Sequence, residues 1–380
     1  MEWIYVDHAA TSPMHPKVID RMTSVMTDIF GNPSSIHYFG RQARQIIDEA
    51  RAVLASSIGA KENEIIFTSG GTEADNLAIL GVAEAYRHAG RHILTTQVEH
   101  HAVLHTCQQL EKQGYEVTYL PVDEQGRVSI EDVKSALRPD TILVTIMYGN
   151  NEVGTIQPIK EIGEILKNHQ ALFHTDAVQA YGIEKLAVSE LGVDLLSVSA
   201  HKINGPKGIG FLYAHQQVKL SSRMFGGEQE RKRRAGTENV SAIAGFCEAV
   251  KISQIEMETK REQYEQFREQ IISRLNNQAI DFSQNGLLDY SLPHVLNLSF
   301  PNTNVEAMLV NLDLAGIAAS SGSACTAGSI DPSHVLVAMF GKGSERLSNS
   351  IRFSFGLYNT AEQMQRLGDE VASIVQRLTK

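Results

Sequence analysis

Short apolar, β-branched runs recur along the first part of this chain, at 64–68, 92–96, 116–121, 141–147, 171–175, 195–199 and 209–214. Stretches with helical spacing lie between many of them, for example 73–88, 102–113, 129–136 and 158–168. A short apolar run without polar alternation reads as a strand buried on both faces. Strands of that kind interleaved with helices predict an α/β fold built on a largely parallel sheet. Ligands on such sheets bind at the loops beyond the strand ends. Those loops are therefore the place to look for chemistry.

The chain has 380 residues, enough for two domains. Its hydrophobic content of 42% and charged content of 21% are those of a soluble globular protein. The net charge of −10 argues against direct nucleic-acid or anionic-membrane binding. No apolar run reaches the ~18 residues of a membrane span, and no signal-peptide pattern opens the sequence, so a cytoplasmic location is expected. Past residue 253 the composition shifts. Residues 254–277 read as a long, polar, partly exposed helix. Strand signals follow at 294–300 and 351–355, and helical ones at 304–315 and 362–378. The expected division is a large unit over 16–258 and a smaller α+β unit made of 1–15 and 259–380.

The polar motifs fall where the sheet predicts. Lys202 leaves the run 195–199 beside Ser199 and His201 and enters the turn Asn204-Gly205-Pro206. A lysine at that point loses hydration, so its amine is more easily neutral and nucleophilic. Thr68-Ser69-Gly70-Gly71-Thr72-Glu73 joins a strand to a helix. It reads as a capped turn or as an anion cradle with Thr72 as N-cap. Asp176 ends a strand, with Gln179 three residues on. His100 and the pair Asn150-Asn151 follow two further strands. Together a buried lysine, a carboxylate, an anion cradle and an imidazole are the parts that pyridoxal phosphate requires. The three cysteines, Cys107, Cys247 and Cys325, are far apart and form neither a disulfide framework nor a zinc spacing. Cys107 and Cys247 lie in apolar helical patterns and read as buried small hydrophobes. Cys325 lies in a run of small residues, 318–329, that buries little and should be mobile. No metal is expected. The basic run 231–234 reads as a solvated or anion-facing loop, and not as a nucleic-acid patch.

In these motifs the chain resembles a cysteine desulfurase of the NifS/IscS type, in the class V aminotransferase family of fold-type-I pyridoxal phosphate enzymes. The resemblance runs from Tyr5-Val6-Asp7-His8-Ala9-Ala10-Thr11 to Ile351-Arg352-Phe353-Ser354-Phe355-Gly356. It is most specific at Ser199-Ala200-His201-Lys202 and Ser321-Gly322-Ser323-Ala324-Cys325. It implies a large domain with a mainly parallel seven-stranded sheet and a smaller α+β domain. Lys202 would hold the cofactor, Asp176 would pair with its ring nitrogen and His100 would stack on the ring. Asn151 and Gln179 would contact its phenolic oxygen, and Gly71, Thr72, Ser199 and His201 its phosphate. Thr237 would reach the phosphate of a neighbouring subunit, so a homodimer is implied. Asn32 and Arg352 would hold the substrate carboxylate.

The implied reaction turns L-cysteine into L-alanine and leaves a persulfide on Cys325. Lys202 would remove the α-proton, and His100 is a candidate acid. The sulfur would pass to an acceptor protein, either an iron–sulfur scaffold or a tRNA-thiolating enzyme. Many relatives carry a longer C-terminal tail that contacts the scaffold, and this sequence ends soon after its last helical pattern. An aminotransferase or selenocysteine lyase of the same fold is an alternative reading. So is a non-catalytic sulfur carrier, which would have no need of Lys202.

Overall fold

The computed structural model describes residues 3–287, 289–321 and 332–380. The chain starts with β1 (Ile4–Tyr5), α1 (Pro16–Asp28) and α2 (Tyr38–Ser57). It then alternates through β2 (Ile65–Thr68), α3 (Gly71–Ala85), β3 (His92–Thr96), α4 (His101–Glu111), β4 (Glu116–Leu120), α5 (Ile130–Ala136) and β5 (Thr141–Thr145). It continues with α6 (Ile159–Leu166), β6 (Leu172–Asp176), α7 (Val188–Leu191), β7 (Leu195–Ser199) and β8 (Gly210–Ala214). β2 to β8 form one seven-stranded sheet in the order β2-β8-β7-β6-β5-β3-β4. Only β8 runs against its neighbours. Residues 200–209 are too few to hold a crossover helix, so the strand after β7 can only return antiparallel.

Alternate residues of each strand face opposite sides. Ile65 and Phe67 enter one apolar core with helices α2 and α6 and with residues 242–252, whereas Ile66 enters another with α3 and α4. The strand order turns at β3, which has β4 on one side and β5 on the other. The carboxyl ends of β3 and β5 therefore open a crevice, the usual ligand position on such a sheet.

Helix α8 (Val240–Asn277) leaves this unit, capped by the Asn239 side chain, which accepts from the Ala242 N–H. The reading from composition places its start at 254. The helix begins fourteen residues earlier because its first half is apolar on most sides and lies in the first core, where no polar face marks it as a helix. Tyr264, Phe267, Ile271 and Leu275 of its second half join a separate core with Ile4 and Val6. Beyond the helix lie β9 (Ser283–Asn285), β10 (Val295–Ser299), α9 (Val305–Leu314), β11 (Ile317–Ala318), α10 (His334–Phe340), α11 (Arg346–Asn349), β12 (Ser350–Ser354) and α12 (Ala361–Leu378). β10, α9, β11, β12 and α12 complete that core, whereas α10 and α11 pack in a small cluster with Val98 and Val153 of the large unit. β12, β10 and β9 form an antiparallel sheet. The expected division at 258/259 falls inside α8, between the residues that serve the two cores.

Candidate functional site

Strand β7 ends at Ser199, and one helical turn carries His201 and Lys202 out of the sheet. Asn204 then takes φ +63°, which reverses the chain. The Lys202 amine donates to the carbonyl oxygen of Ala9 and, at 2.8 Å, to that of Ala10. Burial pulls its pKa from 10.5 down to about 8, and the Arg352 charge adds to this, while Asp176 and Asp7 oppose it. A lysine so placed has an appreciable neutral fraction near neutral pH.

Asp176 is the last residue of β6, and its Oδ1 accepts from the Val178 N–H at 2.9 Å. Burial pushes its carboxyl up to about 6, opposed by that N–H and by Lys202. A second acid, Asp75 of α3, is fully buried on the same cavity. Burial and the neighbouring Asp176 raise it well above the usual carboxylate range, so Asp176 ionises first. His174 stands 3.7 Å from Asp75, and burial holds it neutral, with its pKa down to about 3.

Helix α3 provides the anion end. Its N-cap is Gly70, at φ +149°, and not Thr72, which lies inside the first turn. The left-handed backbone of Gly70 starts the helix two residues earlier than a threonine cap would. No side chain caps the helix, so its first N–H groups stay open to a ligand. A Cβ on Gly71 would stand 2.7 Å from Val178 Cγ2, so only glycine lets these two turns meet without a shift. Ser199 and His201 face the same space. The His201 ring bonds Thr11 Oγ1 through Nδ1 at 3.1 Å, and burial brings it down to about 4.

Gly71, Thr72, His100, Asn151, Asp176, Gln179, Ser199, His201, Lys202 and Arg352 all line one cavity of about 340 Å³. His100 is the N-cap of α4, and its Nδ1 accepts from the Ala102 N–H at 3.1 Å. The ring opens to the cavity but is walled by protein. This dehydration, with Lys202 and three nearby histidines, brings its pKa down to about 4. The expected acid is thus a neutral imidazole whose hydrogen sits on Nε2. Arg352 donates through Nη1 to Asn151 C=O at 2.9 Å and pairs with Asp7 through Nη2 at 2.8 Å. Its Nε has no partner among the described residues, so donors remain for an incoming carboxylate. Asn32 does not line the cavity. It is exposed at a turn, where its Oδ1 accepts from the Ser34 N–H. Thr237 is also exposed and away from the cavity of its own chain. Cys325 lies outside the described residues.

The family model of aminotransferase class-V matches residues 4–367. IscS 1 of Bacillus subtilis is 62% identical over 379 residues, which cover both chains fully. The cysteine desulfurase IscS of Dictyoglomus turgidum is 48% identical, over 99% of this chain and 95% of its own. A solved NifS-like protein superposes with a TM-score of 0.92 at 36% identity, over 99% of this chain and 100% of its own. The chain belongs to the aminotransferase class-V family.

Pyridoxal 5′-phosphate is the cofactor of these class-V enzymes, and the cavity fits it. The uncapped helix start and the close approach at Gly71 suit a phosphate dianion. A buried carboxylate and a dehydrated lysine stand on the same cavity. Three further acids line this cavity or brace residues that do, and the sequence patterns give them no role. Asp75 carries a helical signal, since it lies within one turn of Thr72. Asp7 carries none, because its pairing with Arg352 joins the two ends of the chain. Glu99 is a buried acid whose oxygens accept from Met147 N–H and Thr96 Oγ1, tying the β3 loop to β5 at the crevice. Of the basic run, Arg233 donates to Asn63 C=O, Arg234 pairs with Glu73 at 2.7 Å, and Lys232 pairs with Glu228 at 3.0 Å. Cys107 and Cys247 are buried, and burial pushes both thiols up. Among the described residues no three potential ligands cluster to hold a metal, and no helix is long and apolar enough to cross a membrane.

Proposed function

We infer that the chain is a pyridoxal phosphate-dependent cysteine desulfurase, which converts L-cysteine to L-alanine and passes the sulfur to an acceptor. The observation that carries this is Lys202, an amine dehydrated toward pKa about 8 on one cavity with Asp176 and Arg352. Full-length relatives that bear the desulfurase name support it.

On this proposal the open N–H groups at Gly71 and Thr72, with Ser199 and His201, hold the phosphate. Asp176 would pair with the ring nitrogen, His100 would support the ring, and Asn151 and Gln179 would serve its phenolic oxygen. The bound cofactor supplies an electron sink for the charge left at a substrate α-carbon. Arg352 binds the substrate carboxylate with its remaining donors, a task it performs without Asn32 in the single chain. Lys202 takes the α-proton and returns one to the product, with the His100 Nε2–H as a further donor. The Cys325 thiolate attacks the substrate sulfur. The C–S bond breaks as the S–S bond forms, so one sulfur atom moves from cysteine to Cys325 and alanine leaves, with no outside oxidant. Thr237 serves the cavity of a second copy in a homodimer. The acceptor is an iron–sulfur scaffold or a tRNA-thiolating enzyme, in the cytoplasm.

Purified protein reconstituted with the cofactor should release alanine from L-cysteine, and sulfide in the presence of a thiol reductant. Lys202→Ala should lose both the yellow band and turnover. Transamination of cysteine in place of alanine release would sink the proposal in favour of an aminotransferase.

A further inference from the structure

We infer that His294 is a positioning residue that locks the Gln179 amide with an N–H, and not its oxygen, offered to the cavity. The inference rests on reading the cavity as the cofactor site. Gln179 is buried, and its Nε2 donates to the Ala9 carbonyl at 3.0 Å. A carbonyl only accepts, so the amide nitrogen must occupy that end. Its Oε1 then lies 3.3 Å from His294 Nε2. An amide oxygen also only accepts, so Nε2 of His294 carries the ring hydrogen. Thus Ala9 sets the amide, and the amide sets the imidazole tautomer.

The ring has one hydrogen to give. Burial brings His294 down to about 3, and His8, Lys202, Arg352 and Arg268 act in the same direction, so it stays neutral. Its Nδ1 has no partner among the described residues, and no competing bond favours the other tautomer. The ring is also well anchored. The His294 carbonyl accepts from the Phe355 N–H at 2.8 Å, which ties it to the small antiparallel sheet, whereas Gln179 follows β6 of the large one. The bond therefore reaches from one core to the other. Lys202 shares the same Ala9 carbonyl, so the amide that His294 steadies borders the lysine directly. Gln179 lines the cavity, and its second Nε2 hydrogen is the donor left to serve there. Without His294 the buried Oε1 loses its donor, and the side chain swings toward the cavity to find another.

The test is a spectral titration of the reconstituted protein between about pH 6 and 10, for the parent, His294→Leu, Gln179→Leu, the double variant and His294→Gln. His294→Leu and Gln179→Leu should move the midpoint of the yellow band in the same direction. The expected shift is about half to one unit, the scale of one neutral hydrogen bond. The double variant should move no further, and His294→Gln, which keeps a donor, should titrate close to the parent. His294→Asn, too short to reach Gln179, makes the same comparison should the leucine variant fold poorly. A His294→Leu midpoint equal to the parent's, or additive shifts in the double variant, would overturn the inference. A parent that takes up no cofactor would instead overturn the reading of the cavity, and this inference with it.

Discussion

Lys202 should make the cofactor-free protein more stable as pH rises through its own titration. Its pKa is about 8 in the folded chain against 10.5 when unfolded. Below pH 8 both states hold the proton, and the folded state carries the whole cost of a dehydrated ammonium. Between 8 and 10.5 only the unfolded state keeps the proton, so stability rises with pH across that window. The difference of about 2.5 units corresponds to about 3 kcal/mol. Other groups titrate in the same range, so the quantity to read is the difference between the parent and Lys202→Met. The variant also takes a donor from the Ala10 carbonyl, while Ala9 keeps that of Gln179, which shifts its absolute stability but adds no pH dependence. Urea unfolding of both apo proteins at several pH values gives the difference directly. It should change by about 3 kcal/mol in favour of the parent from pH 8 to 10.5. A difference that stays flat would refute the claim that the fold dehydrates this amine.

Asp176→Asn should retain a cofactor-sized site but lower kcat by at least about a hundredfold, because the negative charge beside the ring is removed. In the parent the carboxylate must be ionised, so activity should fall as pH drops through about 6 or below, and steady-state kinetics of the asparagine variant should lack that acid limb. Glu230→Ala leaves the Arg51 guanidinium buried without the carboxylate it now meets at 2.6 Å. Urea denaturation should show a loss of about 3 kcal/mol or more.

The parts of the fold that a single stretch of sequence determines were readable from it. All seven large-sheet strands lie within a few residues of their apolar runs. Most are buried on both faces and leave a near-continuous signature, whereas the half-exposed edge strand β4 shows through its β-branched and aromatic residues. The start of α8 was hidden for the matching reason: a helix buried on most sides shows no amphipathic contrast. The cap at α3 was misplaced because a glycine's backbone freedom, and not a hydroxyl, starts that helix. Lys202, Asp176 and His100 could be placed at strand ends, yet their pKa values depend on neighbours that no local pattern shows. The Asp7–Arg352 pair and the Gln179–His294 bond join residues far apart in the chain. Topology creates them, and only the folded structure displays them.

The central claim is that sulfur leaves cysteine through a lysine-tethered cofactor and lands on one thiol. Intact-protein and peptide mass spectrometry of the reconstituted enzyme, quenched during a single turnover with isotopically labelled L-cysteine, tests this most directly. The account predicts one added sulfur atom at Cys325, absent in Lys202→Ala, with labelled alanine in equal amount. Alanine formed with Cys325 unmodified, or labelled sulfur found instead on Cys107 or Cys247, would contradict it.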